Sequence, residues 1–119
     1  MAAIMTMRVL LVEDEPLIAM MLEDFLDALD KELAGTADSV AAALPLIESG
    51  GIDAAILDVN LRGGEKSFAI ADALAQKDIP FVFATGGSGD EIADPHRDRP
   101  RLAKPFTMDG VEKALAQLG

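Results

Sequence analysis

The sequence contains no cysteine, no tryptophan and no tyrosine, and a single histidine. Without cysteine there is no disulfide, no thiolate nucleophile and no thiolate metal site, a usage that fits a reducing compartment. The aromatic residues are five Phe, so the 50% hydrophobic content comes almost wholly from Leu, Ile, Val, Ala and Met, and an aliphatic core is expected. Basic residues are scarce: 10 Lys and Arg stand against 21 Asp and Glu, a formal net charge of −11 at pH 7. Such a chain repels phosphate backbones and anionic headgroups, so neither a nucleic acid nor a membrane is expected as a partner. Long hydrophobic runs are missing too, none approaching the roughly 20 residues that span a bilayer. The opening MAAIMTMRVL has neither the charged leader nor the cleavage site of a signal peptide, and the expectation is a cytoplasmic protein. His96, set between Pro95 and Arg97, reads as an exposed loop residue rather than a phosphotransfer or metal group.

What the sequence does have is regular alternation. At 119 residues it predicts a single domain, residues 1–119, large enough to bury about 65% of the surface its unfolded chain exposes. MRVLLV (7–12), DAAILDV (53–59) and IPFVFAT (79–85) are nearly continuous apolar runs, the pattern of strands covered on both faces of a parallel sheet. KELAGT (31–36) and RLAK (101–104) are weaker and fit edge strands. Between them the spacing predicts four helices. The first opens at Pro16, ends near Asp30 and carries Leu17, Ile18, Met21, Leu22, Phe25, Leu26 and Leu29 on its apolar side. The second, 38–49, is capped by Asp38 or Ser39 and kinked at Pro45, and the third spans 66–77. The last is opened by Thr107 and presents Met108, Val111, Leu115 and Leu118 along one side. Pro95 and Pro100 limit the crossover at 87–100 to a short or disordered helix. The fold class is α/β, a three-layer sandwich around a five-stranded parallel sheet of order 2-1-3-4-5, with ligands expected beyond the carboxyl ends of the first and third strands.

The residues at those strand ends carry chemistry. Glu13 and Asp14 follow the first strand, Asp58 ends the third, Thr85 the fourth, and Lys104 follows the fifth. Crowded carboxylates raise one another's pKa values unless a cation compensates, and hard oxygen ligands suit Mg²⁺. Asp58 then has the position of a carboxylate nucleophile toward phosphorus, with Glu13 and Asp14 holding the metal and Thr85 and Lys104 donating to phosphoryl oxygens. In FVFATGGSGDE (81–91), Thr85 stands at a strand tip and Gly86 leaves room for the loop and a phosphodonor to approach. The same glycines lack the Lys-Ser/Thr ending of a P-loop, which argues against nucleotide binding.

VLLVEDEPL, ILDVNL, FATGG and LAKPF, in that order along nearly the whole chain, resemble the response-regulator receiver domains, which have a flavodoxin-like fold. The resemblance implies that Asp58 is a phosphoacceptor and that Glu13 and Asp14 bind Mg²⁺ together with Asp58 and the backbone carbonyl of Asn60. It implies that Thr85 and Lys104 sense the phosphoryl group and that the Lys104–Pro105 peptide is cis. FATGG further resembles a bacterial subgroup of stand-alone receivers, without output domains, that serve phosphorelays including those of general stress responses. Arg101 departs from the family, which often carries Tyr or Phe three positions before the lysine. Switching is therefore expected to run through ordering of residues 86–100, with Gly86 and Gly87 in the switch loop beside Arg101 and Pro105. The implied partner is a histidine kinase or histidine phosphotransfer protein, docking along the Glu15, Ile18 and Met21 side of the first helix, and the expected state is a monomer.

Two alternatives accompany this expectation of a phosphoacceptor that catalyses its own phosphorylation and dephosphorylation. A haloacid-dehalogenase-type phosphatase shares the aspartate nucleophile and Mg²⁺ but needs a second aspartate where this chain has Asn60. A pseudo-receiver would keep the pocket as a binding module not controlled by phosphorylation.

Overall fold

The computed structural model of the chain describes residues 6–85 and 99–118. Its elements run β1 (Arg8–Val12), α1 (Pro16–Ala28), β2 (Glu32–Ala37), α2 (Val40–Ser49), β3 (Ala54–Asp58), a 3₁₀ turn at Arg62–Gly64, α3 (Phe68–Gln76), β4 (Phe81–Thr85), β5 (Arg101–Ala103) and α4 (Met108–Leu118). The five strands pair in parallel in the order β2-β1-β3-β4-β5, so the two weak strand signals lie at the edges.

Side chains alternate across the sheet, and each face collects its own core. Leu10, Val12, Ala55, Leu57, Phe81 and Phe83 pack beneath Ala43 and Ile47 of α2 and Ile70, Ala71 and Leu74 of α3. Val9, Leu11, Ile56, Val82 and Ala84 pack against Leu22 and Leu26 of α1 and Val111, Ala114 and Leu115 of α4. Every residue of β3 and β4 is buried, which is why both read as continuous apolar runs. Full burial of a side chain such as Leu57 stabilises the fold by roughly 2 kcal/mol.

Helix ends follow local chemistry. Pro16 opens α1. Helices α1 and α3 stop the same way, with an aspartate in the left-handed region (Asp30, φ 60°; Asp78, φ 57°) and the next amide donating back to Leu26 or Leu74 at 2.8 and 2.9 Å. Ser39, not Asp38, caps α2 by accepting from the Ala42 amide at 3.1 Å. Helix α2 continues through Pro45 to Ser49, whose hydroxyl donates to the Pro45 carbonyl at 3.0 Å. Thr107 caps α4 by accepting from the Gly110 amide at 3.0 Å.

Two expectations need correction. Leu17 is 79% exposed and Met108 44%, so neither belongs to the core. Leu17 lies about 140° and 180° round α1 from buried Leu22 and Leu26 and so faces outward, while Met108 is on the stripe of Val111 and Leu115 but in the first turn of α4. The core is also not purely aliphatic: Phe83 packs edge-to-face on both Phe68 and Phe81, at centroid distances of 6.0 and 5.5 Å. The expected short helix in the last crossover lies outside the described residues.

Candidate functional site

Because all strands run in parallel, their carboxyl ends share one edge of the sheet. β1 and β3 are adjacent there, in register from Val9↔Ala54 to Val12↔Leu57, so the residues just past Val12 meet the end of β3. Glu13, Asp14 and Asp58 each bring one carboxylate oxygen within 4.8 Å of the others. The group is largely withdrawn from solvent: Glu13 is 4% and Asp58 7% exposed. Glu13 is held from below by its own amide, which donates to Ala37 of β2 at 2.9 Å, and from above by the Glu15 amide, which donates to its carboxylate at 3.2 Å.

Lys104 enters from the far side of the sheet. Its amide donates to the Thr85 carbonyl at 2.9 Å, which ties the end of β5 to the end of β4. Its ammonium then reaches across to donate to Asp58 Oδ1 at 2.9 Å and stands 4.0 Å from Glu13 Oε1. Thr85 ends β4 and is 9% exposed. The Lys104–Pro105 peptide is cis.

The electrostatics are unbalanced. Burial and the charge of Asp58 raise the Glu13 carboxyl from 4.5 to about 7, against the opposing effects of the Glu15 amide and the Lys104 ammonium. Desolvation lowers the affinity of Lys104 for its proton, but the hydrogen bond to Asp58 and the charges of Asp58, Glu13 and Glu15 outweigh it and hold the ammonium above its usual range. Among the described residues the Lys104 ammonium meets the Glu13 and Asp58 carboxylates, and a hard divalent cation matches the oxygen donor set of Glu13, Asp14 and Asp58. The residues present therefore fit Mg²⁺.

The remaining expected residues fall into place unevenly. Asn60 is exposed two positions beyond Asp58, and its side-chain oxygen accepts a hydrogen bond from Lys66 Nζ. Sequence reasoning missed Lys66, whose only signal was its place after the LRGG turn. Glu15, Ile18 and Met21 line one side of a groove of about 290 Å³ whose other side is Lys104, Pro105 and Phe106, directly beside the acidic cluster. Arg101 is the exposed first residue of β5. Gly86, Gly87, His96 and most of the expected 86–100 switch segment lie outside the described residues.

A parallel sheet of this order with three carboxylates, a threonine and a lysine at its carboxyl edge defines a receiver. The chain matches the response regulator receiver domain family over residues 9–116 and belongs to it. It is similar to the solution structure of SdrG from Sphingomonas melonis Fr1, 70% identical, with 95% of this chain and 96% of that one covered at a TM-score of 0.85. The BeF3-activated conformation of SdrG from Pseudomonas melonis Fr1 is 71% identical, with 93% and 94% covered, at a TM-score of 0.80. The phyllosphere-induced regulator PhyR of Methylorubrum extorquens is 31% identical over 121 residues, which is 98% of this chain and 45% of PhyR. A structure of the PhyR stress response regulator is 25% identical, covering 96% of this chain and 45% of that one, at a TM-score of 0.79. The chain spans about half the length of the curated relatives it matches. Among the described residues, no helix is long and apolar enough to cross a membrane.

Proposed function

We propose that this chain is a cytoplasmic response-regulator receiver that takes a phosphoryl group from a phosphohistidine partner onto Asp58. The observation that carries the reading is the Lys104 ammonium seated on Asp58 within a buried group of carboxylates. A buried aspartate kept beside a fixed cation is an acceptor whose product charge is compensated in advance.

In the transfer, an Asp58 carboxylate oxygen attacks phosphorus. An O–P bond forms, the P–N bond to the partner imidazole breaks, and the imidazole nitrogen keeps the electron pair and takes up a proton. Lys104 changes its allegiance from the carboxylate to a phosphoryl oxygen, and Thr85, at the neighbouring strand end, donates its hydroxyl to another. Mg²⁺, held by Glu13, Asp14, Asp58 and the Asn60 carbonyl, would supply charge neutralisation for the transferred group. The groove between Glu15, Ile18 and Met21 and the Lys104–Phe106 segment offers an apolar seat beside the acceptor for a helix of a histidine kinase or phosphotransfer protein. The chain is both catalyst and substrate of its own phosphorylation and slow hydrolysis, not an enzyme with independent turnover.

Similarity to SdrG, which adopts a BeF3-activated conformation, supports control by a phosphoryl-like group, and similarity to the PhyR stress response regulator supports a role in a stress phosphorelay. The test is incubation with acetyl phosphate and Mg²⁺. The intact protein should gain the mass of one phosphoryl group, chelation should abolish the gain, and Asp58→Ala should show none. An unchanged mass for the wild-type protein, or an equal gain in Asp58→Ala, would overturn the reading.

A further inference from the structure

Residues 60–67 form a closed loop at the lip of the acidic site. At its base the amide and hydroxyl of buried Ser67 both donate to the Val59 carbonyl, at 3.1 and 3.4 Å. Further out, the Leu61 amide donates to the Glu65 carbonyl at 2.7 Å, and the turn is completed by Gly63 and Gly64 at φ 75° and 81°, where other residues would be strained. Asn60 and Lys66 face each other as an antiparallel bridge, and the Lys66 ammonium donates to the Asn60 side-chain oxygen. The Glu65 carboxylate anchors the loop outward by accepting from the Val40 amide at 2.9 Å, at the start of α2. A loop fastened at its base, middle and outer edge needs no ammonium to stay folded, so the Lys66–Asn60 bond acts on Asn60 itself.

We infer that Lys66 is a positioning residue for the cation site: by holding the Asn60 side chain across the bridge it fixes the Asn60 peptide, whose carbonyl would serve the cation. This rests on the reading of the acidic cluster as a Mg²⁺ site. The alternative role for Lys66 is purely electrostatic, and the two roles differ in sign. A cation near the carboxylates repels Mg²⁺, so removing it for that reason alone would tighten binding; releasing Asn60 loosens it.

The experiment is a Mg²⁺ titration of the whole chain without phosphodonor, followed by backbone amide shifts at Asp14, Asp58 and Asn60, alongside thermal midpoints in chelator. Lys66→Met, which keeps the stem and loses the donor, should weaken Mg²⁺ about three- to tenfold, less than the loss on removing a partner of a direct ligand. Its midpoint in chelator should match wild type, and Lys66→Arg, which keeps a donor, should restore most of the affinity. Unchanged or tighter binding in Lys66→Met overturns the inference, as does weaker binding accompanied by a lowered midpoint, which would make Lys66 merely structural. A wild-type protein whose Asp14 and Asp58 amides do not respond to Mg²⁺ would overturn the metal reading beneath it; a responsive wild type with an indifferent Lys66→Met overturns this inference alone.

Discussion

The two ends of strand β1 handle charge in opposite ways. At its start, Arg8 is matched: its side chain lies 3.3 Å from Glu32 and donates to the Gly51 carbonyl at 2.9 Å, while its amide donates to Asp53 at 2.9 Å. The partners come from β2 and from the segment leading into β3, so the cluster ties three neighbouring parts of the sheet together in the open. Just past the other end, Glu13 is buried beside Asp58, and among the described residues one ammonium, that of Lys104, meets them both. Matched charge at an exposed edge contributes modestly to folding, while unmatched charge in a buried one opposes it and persists only where a ligand supplies what is missing. The contrast separates the scaffold end of this sheet from its functional end without reference to any relative.

The largest expected break in the contrast is removal of the Lys104 ammonium from the functional end. Lys104→Met keeps the stem of the side chain but takes the donor from Asp58 and from the incoming phosphoryl oxygens. Loss of one such donor costs about 100- to 1000-fold where charge develops in a dry site; with Mg²⁺ sharing that task under the proposed function, a fall of about 10- to 100-fold in phosphorylation rate is expected. Mass spectrometry over time with a small-molecule phosphodonor measures it. A rate within twofold of wild type would mean that Lys104 holds the resting site together and takes no part in the transfer.

A smaller effect sharpens the comparison through pH. The folded state raises Glu13 from 4.5 to about 7, so it binds that proton more tightly than the unfolded chain does. The contribution of Glu13 to stability is therefore fully present below pH 4.5 and is lost as pH rises through 7. In chelator, the thermal midpoint should fall by about 10 °C between pH 5 and pH 7.5, from a linkage of roughly 2 to 3 kcal/mol at roughly 4 °C per kcal/mol for a domain of this size. Saturating Mg²⁺ should recover the loss at pH 7.5, and Glu13→Gln should flatten the slope. In Lys104→Met the decline should move to higher pH, because the ammonium is one of the groups that lower the Glu13 value. The raised Lys104 value acts elsewhere: its contribution is present below 10.5 and is lost only as pH climbs through its higher folded value, so it adds no slope in this window. A slope unchanged in Glu13→Gln would assign the pH response to another group.

The sequence showed the functional end more fully than the scaffold end, for a physical reason. Strands β3 and β4 announce themselves because they are buried on both faces, and Asp58 and Thr85 stand out as polar residues ending apolar runs. Glu13, Asp14 and Lys104 needed only the strand order to be brought to the same edge. What stayed hidden depended on direction rather than composition. Leu17 belongs to a run of apolar residues at the start of α1 but lies on the face opposite Ala19 and Leu26, and Met108 is on the stripe of α4 but in its first turn, so both are exposed. Five Phe in 119 residues suggested an aliphatic interior, but Phe81 and Phe83 fall on the same face of β4, and Phe68 arrives from α3 to stack on Phe83. Helical spacing includes Lys66 in the third helix, whereas the left-handed turn at Gly63 and Gly64 doubles the loop back and brings its ammonium to Asn60.

The smallest expected effect lies at the scaffold end and tests whether the two ends are independent. Arg8→Ala removes an ion pair whose partners are 39% and 57% exposed, so water replaces most of what is lost. About 1 kcal/mol is expected from such a pair together with the hydrogen bond to Gly51, or a midpoint lower by about 4 °C. The backbone bond from the Arg8 amide to Asp53 survives the substitution, so the register of β1 on β3, and with it the position of Glu13 against Asp58, should hold. Phosphorylation rate and Mg²⁺ affinity should then stay within twofold of wild type. A larger change in either would mean that a loosened start of β1 is felt five residues on at Glu13, making the strand a lever between its two charged ends rather than a rigid spacer.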